Sequence, residues 1–299
     1  VPNLVVFVDL ITEFILRSFA CFSLVSKWNL TIWTPITFST HRKMAKKIAV
    51  IDLGTNTFNL LIAEVNDTHF KTIFHDKIGV ALGMGGINEG KLAEDAIHRA
   101  MEALTYFKLK CDEFQVRDIR AFGTSAIRDA KNGATFTQQI KEQLAIDVQI
   151  ISGDKEAQLI YDGVKWFYDF DQPSMIMDIG GGSTEFILAD KAGIQKDMSL
   201  NIGVSRIYQA LTLSNPITSE DIISIENWLE VQSEGKLNDI SCPILIGSSG
   251  TFETLHELHF KEKFPKTNAC LEMSIEQLNE VLSKIMASTL EERSKNQFI

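Results

Sequence analysis

Two short stretches of the sequence place an aspartate at the end of an apolar run, just before a glycine-containing turn. The first reads Val-Ile-Asp-Leu-Gly-Thr-Asn-Thr over residues 50–57, and the second reads Ile-Met-Asp-Ile-Gly-Gly-Gly-Ser-Thr over residues 176–184. Another apolar run follows each turn, so each stretch predicts a β-hairpin whose tip exposes backbone N–H groups beside one carboxylate. Such N–H groups bind phosphate oxygens, and the carboxylate can hold a divalent cation.

The repetition of this pattern is more informative than either copy. A single Asp-x-Gly turn is a common hairpin feature, and alone it says little about ligands. Because the pattern occurs once in each half of the chain, before a similar apolar run each time, it indicates a duplicated domain. The sequence therefore predicts two related domains, 44–170 and 171–299, whose hairpin tips face one phosphate chain across a cleft.

The order of predicted strands and helices agrees with a duplication. Three strands precede alternating helices and strands, and this order recurs after Pro173. The predicted strands span 48–52, 59–65, 70–77, 119–122, 148–151, 175–179, 184–190, 195–200 and 244–246. The predicted helices span 89–110, 125–129, 134–144, 154–167, 204–211, 219–232, 251–259 and 275–286. Thr218 with Asp221, and Ser274 with Gln277, are capping-box patterns that mark two helix starts. The alternation predicts an α/β fold.

A candidate phosphate site lies where the strand at 119–122 leads into a short helix. Thr124 or Ser125 is the predicted N-cap of this helix, and Arg128 follows one turn later. A helix N-terminus and a guanidinium group both bind anions. The alternative is a plain helix cap followed by a surface arginine.

Glu156 is a candidate for proton transfer. It lies in the first turn of a predicted helix, beside the small Ala157. A glutamate in this position commonly faces solvent and stabilises the helix through its dipole. The functional alternative is a carboxylate at the rim of the cleft that orients or deprotonates a water molecule.

A third segment reads Leu-Ile-Gly-Ser-Ser-Gly-Thr-Phe-Glu-Thr over residues 245–254. It predicts a strand that passes through a Gly-Ser turn into a helix N-terminus. This geometry can hold a nucleotide or a phosphate group, and it can equally be an ordinary connection between a strand and a helix.

Composition limits the classes of function. The 299 residues suit about two domains, and the 45% hydrophobic content is enough for their cores. The formal charge of −10 argues against nucleic-acid or anionic-membrane partners, because both need a basic surface. If the substrate is a polyanion, the positive potential that binds it must then come from a small part of the surface and not from the protein as a whole. The four cysteines are widely spaced and predict reduced thiols in a cytoplasmic protein.

The first 43 residues differ from the rest of the chain. Residues 4–25 are largely apolar, but Asp9, Glu13 and Arg17 interrupt them, and each charge at a helix centre costs about 2.5–3.5 kcal/mol. A signal peptide would have its basic residues before the apolar stretch, whereas Lys27 follows it. Because Met44 begins a Met-Ala-Lys-Lys sequence just before the first strand, we interpret residues 1–43 as a non-native N-terminal extension.

Taken together, these segments resemble the exopolyphosphatase/guanosine pentaphosphate phosphohydrolase family, which belongs to the actin-like, Hsp70-like and sugar-kinase-like superfamily. The resemblance covers about 44–290, and its specificity comes from six motifs in the same order. They are Val-Ile-Asp-Leu-Gly-Thr-Asn-Thr at 50–57, Gly-Thr-Ser-Ala-Ile-Arg at 123–128, Ile-Ser-Gly-Asp-Lys-Glu-Ala at 151–157, Asp-Ile-Gly-Gly-Gly-Ser-Thr-Glu at 178–185, Leu-Asn-Ile-Gly-Val-Ser-Arg at 200–206 and Gly-Ser-Ser-Gly-Thr at 247–251. The resemblance implies two duplicated RNase H-like (actin-like ATPase) domains with an interdomain cleft.

The resemblance also implies roles for individual residues. Asp52, Asp178 and Glu185 would surround a Mg²⁺ ion, partly through water molecules. Arg128 would grip a phosphate group, and Glu156 matches the catalytic glutamate. The implied phosphate-binding residues are Gly54, Thr55, Asn56 and Thr57 in the first loop, Gly180, Gly181, Gly182, Ser183 and Thr184 in the second, and Gly250 and Thr251.

The sequence departs from the family at two points. Asn59 stands where the family often has arginine or histidine, which predicts one weaker phosphate contact. The sequence also ends at Ile299, before an Arg-Ala-Asp-like motif and the closing strand and helix of the family's second domain. This departure predicts a truncated second domain, an exposed sheet edge and reduced stability.

The expected reaction is hydrolysis of the terminal phosphate of inorganic polyphosphate by a cytoplasmic enzyme, and the resemblance implies a homodimer. Hydrolysis of guanosine pentaphosphate would use the same motifs. A sugar or acid kinase would use the same loops but bind a second small substrate. A non-enzymatic actin-like scaffold would polymerise with nucleotide and would not need Glu156.

Overall fold

The computed structural model describes residues 46–66, 70–237, 241–264 and 270–299. The first sheet has five strands in the order β3-β2-β1-β4-β5. Its strands are β1 (Lys46–Leu53), β2 (Thr57–Val65), β3 (Phe70–Gly79), β4 (Asp118–Gly123) and β5 (Val148–Ile150). The first three strands form an antiparallel meander, whereas β4 runs parallel to β1 and β5 runs parallel to β4.

The second sheet has four strands, which repeat the arrangement of β3-β2-β1-β4 in the first sheet. Its order is β8-β7-β6-β9, with β6 (Ser174–Ile179), β7 (Thr184–Asp190), β8 (Gly193–Leu200) and β9 (Ile244–Ser248). Strands β6, β7 and β8 form an antiparallel meander, and β9 runs parallel to β6. Two sheets with the same strand order confirm the predicted duplicated α/β fold, with one sheet on each side of residues 170–173. The domain limits themselves stay a prediction.

The alternation of side chains along the strands determines the face of the sheet to which each aspartate side chain points. Ile51, Leu53, Phe58 and Leu60 are fully buried on one face of the first sheet. Asp52 lies between two of these residues in sequence, so its side chain points to the opposite face. In β6 the same period places Met175 and Ile179 in one apolar cluster and Ile176 in another, so Asp178 lies on the same face as Ile176.

Helices connect and cover the strands in both halves. In the first half they are α1 (Glu94–Glu113), α2 (Ser125–Arg128), α3 (Gly133–Leu144) and α4 (Gly153–Lys165). In the second half they are α5 (Val204–Ala210), α6 (Ser219–Ser233), α7 (Gly250–Phe260), α8 (Ile275–Ala287) and α9 (Leu290–Lys295). Both predicted capping boxes are present, at the start of α6 and of α8.

Two helix predictions were wrong. The helix expected from residue 89 begins at Glu94, because Ile87–Glu89 form a 3₁₀ turn that Gly90 ends in a left-handed conformation with φ of 66°. The short helix α9 was not predicted, although Thr289 and Glu292 form a capping box at its start. That Thr-x-x-Glu pattern was the available signal.

Strand β9 lies at the edge of the second sheet within the described ranges. Leu245 of this strand is 47% exposed. The truncated second domain, its exposed sheet edge and its reduced stability stay predictions. None of the described helices is long and apolar enough to cross a bilayer. The interpretation of residues 1–43 lies outside the described residues.

Candidate active site

Equivalent positions of the two sheets carry the polar side chains of the candidate site. Asp52 pairs with Asn59 across β1 and β2, and Asp178 pairs with Glu185 across β6 and β7. The duplication therefore makes Asn59 the counterpart of Glu185. Asn59 Nδ2 donates a hydrogen bond to Asp52 Oδ2 at 3.1 Å, so the amide supports the carboxylate that it accompanies.

The two hairpin tips share one backbone hydrogen bond. The amide of Gly54 donates to the carbonyl of Thr57 at 3.1 Å, and the amide of Gly180 donates to the carbonyl of Ser183 at 3.0 Å. In both turns the hydrogen bond thus joins the first glycine to the residue three positions later. The predicted equivalence of the two loops is confirmed at the level of the backbone.

The structure places the two tips in direct contact. A Cβ atom on Gly182 would lie 2.5 Å from Ser125 Oγ and 2.6 Å from Thr55 Oγ1. Ser205 Oγ of α5 donates to Asn56 Oδ1 at 2.5 Å. The Thr55 and Asn56 side chains therefore face the second half of the protein, and the absence of a side chain on Gly182 allows the loops to meet.

Arg128 and Glu156 form an ion pair beside these loops. Arg128 Nη1 lies 2.9 Å from Glu156 Oε2 and also donates to the carbonyl of Ile151 at 3.2 Å. Helix α4 positions Glu156 in its first turn, and Ser152 caps that helix by accepting from the amide of Lys155. Both charged side chains are less than one-fifth exposed, so the solvated-surface alternatives do not describe these residues.

Burial, and to a smaller extent the neighbouring charges, raise the pKa values of the carboxylates of the site. Burial raises the pKa of Asp52 from 3.8 to about 6, the hydrogen bond from Asn59 partly offsets this, and the charge of Asp178 raises it further. Burial raises the pKa of Glu156 to about 7, opposed by Arg128 and reinforced by Asp52 and Asp178. The charges of Asp52 and Asp178 thus add to the rise of the Glu156 pKa, and the shared site that the sequence predicts for these residues stays a prediction.

Glu185 belongs to the same group. Burial raises the pKa of Glu185 well above its ordinary value, and the charges of Glu156 and Asp178 add to this effect. Ser199 Oγ donates to Glu185 Oε1 at 2.7 Å. A set of carboxylates whose pKa values burial raises is typical of functional sites, where a cation or a proton must compensate them.

The start of α7 meets the second hairpin at Asp178. Burial raises the pKa of Asp178, and the hydroxyls of Ser249 and Ser248 partly offset the rise. Ser249 has φ of 70° and ψ of 175°, a region that is rarely occupied outside glycine and is concentrated at functional sites. The predicted residues Gly250 and Thr251 are buried in the first turn of this helix.

The donor atoms fit a hard divalent cation such as Mg²⁺. Within the described ranges, no three His, Cys, Asp or Glu side chains lie close enough together to hold a metal ion by themselves. Mg²⁺ in phosphate sites, however, uses one or two carboxylates, several waters and the substrate phosphates. In the described part of the chain, Asn59 Oδ1 is also buried without a hydrogen-bond partner, which leaves one more oxygen for such a hydrated ion.

Several residues between the two halves were missed by the sequence reasoning. Arg206 of α5 is buried and lies 2.6 Å from Asp129 Oδ2 in the first half. Gln209 Nε2 donates to the carbonyl of Gly83, and Asn88 Nδ2 donates to the carbonyl of Arg206. The available signal was an arginine between buried apolar residues of a short helix, which requires a buried partner.

Comparison with known proteins places this site in a family. The model described as the Ppx/GppA phosphatase family matches residues 61–296. The chain is 38% identical over 224 residues to the bifunctional 3-dehydroquinate synthase/phosphatase of Fusobacterium nucleatum, a match that covers 69% of this chain and 33% of that protein. It is 33% identical over 215 residues to the guanosine-5'-triphosphate,3'-diphosphate pyrophosphatase of Pseudoalteromonas translucida, covering 70% of this chain and 43% of that protein.

A solved structure extends the comparison over most of the described fold. The crystal structure of an exopolyphosphatase from Cytophaga hutchinsonii is 35% identical in sequence and has a TM-score of 0.79, covering 85% of this chain and 84% of that chain. By contrast, the chain spans less than half the length of the two curated relatives named above. On the family match and the shared fold, the chain belongs to the Ppx/GppA phosphatase family.

Proposed function

We propose that the protein is an exopolyphosphatase, which hydrolyses the terminal phosphoanhydride bond of inorganic polyphosphate. The observation that carries this proposal is the meeting of two N–H-lined hairpin tips beside the Arg128–Glu156 pair. Phosphoryl transfer needs positioning and charge neutralisation more than covalent chemistry. The site offers both, with backbone amides and Arg128 for the phosphate oxygens and Glu156 for the water.

In the proposed mechanism, Glu156 orients a water molecule and accepts its proton. The water oxygen bonds to the terminal phosphorus, the bond from that phosphorus to the bridging oxygen breaks, and the shortened chain leaves with the electron pair. Arg128 leaves Glu156 and binds the phosphate oxygens instead, since a carboxylate and a phosphate are both anionic partners for a guanidinium group. Asp52, Asp178 and Glu185 would hold Mg²⁺, which supplies charge neutralisation when bound.

Guanosine pentaphosphate is the second candidate substrate. It is favoured by the 33% identity to a guanosine-5'-triphosphate,3'-diphosphate pyrophosphatase. In the proposed mechanism, the residues of the site would bind only the phosphate end of either substrate. The difference between the two substrates therefore lies at the end remote from the bond that is broken.

Phosphate release tests the proposed function. Wild-type protein with Mg²⁺ is incubated with long-chain polyphosphate, guanosine pentaphosphate or ATP, and inorganic phosphate is measured. We expect the highest kcat/KM with polyphosphate. A preference for guanosine pentaphosphate would establish the second candidate, and a lack of phosphate release from all three would contradict the proposed hydrolase.

A stability measurement tests the proposed metal site without an assay of activity. Asp52 has a pKa of about 6 in the folded protein against an ordinary value of 3.8. The folded protein therefore holds this proton more tightly, and the associated stability is present below pH 3.8 and is lost as the pH rises through 6. The loss at neutral pH is about 3 kcal/mol. Asp52→Asn should therefore raise the metal-free Tm at pH 7.5 but not at pH 3.5.

The stabilisation of the protein by Mg²⁺ should require the Asp52 carboxylate. At pH 7.5 we expect Mg²⁺ to raise the Tm of the wild-type protein and to have little effect on Asp52→Asn. Asp154→Asn, which removes an exposed carboxylate from α4, is the matched control and should respond like the wild type. An equal Mg²⁺-dependent shift in Asp52→Asn would remove this carboxylate from the proposed metal site.

Location and assembly complete the proposal. The described cysteines Cys111, Cys242 and Cys270 are free thiols, which supports a reducing, cytoplasmic location. A homodimer is proposed from the family resemblance. The negative net charge supports the absence of nucleic-acid and anionic-membrane partners.

A further inference from the structure

A chain of charged side chains connects Glu156 to the second hairpin loop. Glu156 pairs with Arg128 at 2.9 Å. Arg128 Nε lies 3.5 Å from Asp129 Oδ1, and Asp129 Oδ2 lies 2.6 Å from Arg206 Nη2. Arg206 Nε then donates to the carbonyl of Gly182 at 2.7 Å. The contacts thus pass from the first half of the protein to the second without a break.

The guanidinium group of Arg206 makes most of its hydrogen bonds to the protein itself. Besides Asp129 and Gly182, it donates to the carbonyl of Ile87 at 3.3 Å and to Ser125 Oγ at 3.5 Å. Its side chain is 10% exposed. A buried cation must be compensated by such partners, and these four contacts occupy four of the five N–H donors of the guanidinium.

We propose that Arg206 is a positioning residue for the hydrolytic reaction. Through Asp129 it orients Arg128, and because Asp129 lies in the first half and Arg206 in the second, this contact forms only when the two halves meet. Arg128 and Glu156 are then in their working positions only when the halves are together. This inference rests on the proposed function, since it assigns Arg206 a part in the same reaction.

The fork shape of the guanidinium explains why arginine is needed. Its Nε and Nη2 atoms reach Gly182 and Asp129 at the same time, which the single ammonium group of lysine cannot do. Gln209 offers a natural comparison on the same helix. It accepts from the amide of Gly85 at 2.9 Å and donates to the carbonyl of Gly83 at 3.0 Å, so it joins the two halves without touching Asp129.

The first part of the test compares Arg206→Lys, Asp129→Asn, their double variant and the control Gln209→Ala with polyphosphate as substrate. We expect Arg206→Lys and Asp129→Asn each to lower kcat about 10-fold while KM changes less than about 3-fold. The double variant should be little worse than either single variant, because both act through one contact. Gln209→Ala should lower Tm but leave kcat within about 2-fold. Equal losses of kcat in Arg206→Lys and Gln209→Ala would overturn the proposal.

The second part measures coupling without turnover. Arg206 and Glu156 do not touch, so Tm shifts of Arg206→Lys and Glu156→Gln should add unless the contacts through Asp129 join them. We expect a smaller shift in the double variant than the sum, and additive shifts for Gln209→Ala with Glu156→Gln. Additive shifts for both pairs would overturn the inference. An inactive wild type with non-additive Arg206–Glu156 shifts would contradict the proposed function alone, leaving the hold of Arg206 on Arg128 supported.

Discussion

Replacement of Glu156 by glutamine is expected to lower kcat by about 10²–10⁴-fold, the usual contribution of a general base. Glutamine keeps the size of the side chain and an oxygen that accepts from Arg128, but it cannot take the proton of the attacking water. Substrate binding should therefore change little. Steady-state kinetics of phosphate release, together with equilibrium binding of polyphosphate, would separate the two effects.

The dependence on pH provides a second measure of the same residue. Because the pKa of Glu156 is raised to about 7, the unliganded wild type should gain kcat/KM as the pH rises through 7, and the gain should disappear in Glu156→Gln. Asp154→Asn removes a carboxylate from the same helical turn and should retain wild-type kinetics. Full activity in Glu156→Gln would exclude the glutamate from the mechanism.

Substitution of Gly182 by alanine is expected to reduce kcat by about 10²-fold, because displacement of reacting groups by about 1 Å has effects of that size. The new Cβ would lie 2.5 Å from Ser125 Oγ, 2.6 Å from Thr55 Oγ1 and 2.9 Å from Ser125 Cβ. Rotation of the hydroxyls cannot relieve the contact with Cβ, so the loop must move away. The same kinetic assay measures the loss.

Gly163→Ala is the matched control for this prediction. A Cβ atom at Gly163 meets nothing within 4 Å, and the residue lies in helix α4. Alanine should raise the free energy of unfolding by about 0.4–1 kcal/mol and leave kcat unchanged. Wild-type kcat in Gly182→Ala would show that close contact of the loops is not required for turnover.

The sequence was sufficient to predict the features that depend only on neighbouring residues. The two Asp-x-Gly hairpins could be predicted because the turn and its flanking strands are written in neighbouring residues, and the repeat then implied a second sheet like the first. The start of α1 at Glu94 could not be predicted as well, because the apolar pattern of the helix continues into the 3₁₀ turn that Gly90 ends. Local pattern and local conformation differ there.

The contacts between the two halves could not be predicted from the periodicity of apolar residues. The pattern places Asp52 and Asp178 at strand ends, but it does not specify how two separate sheets meet. The direct contact of Gly182 with Thr55 and the Arg206–Asp129 pair depend on that mutual orientation. Resemblance to a family supplied the roles of Arg128 and Glu156, whereas their ion pair emerged only from the three-dimensional structure.

The close contact between the two loops also limits how a substrate can enter the site. A polymer cannot slide between surfaces that already touch, so each substrate end must be admitted while the halves are apart and cleaved after they meet. The Arg206–Asp129 pair, which joins the two halves, would then separate and form again in every cycle.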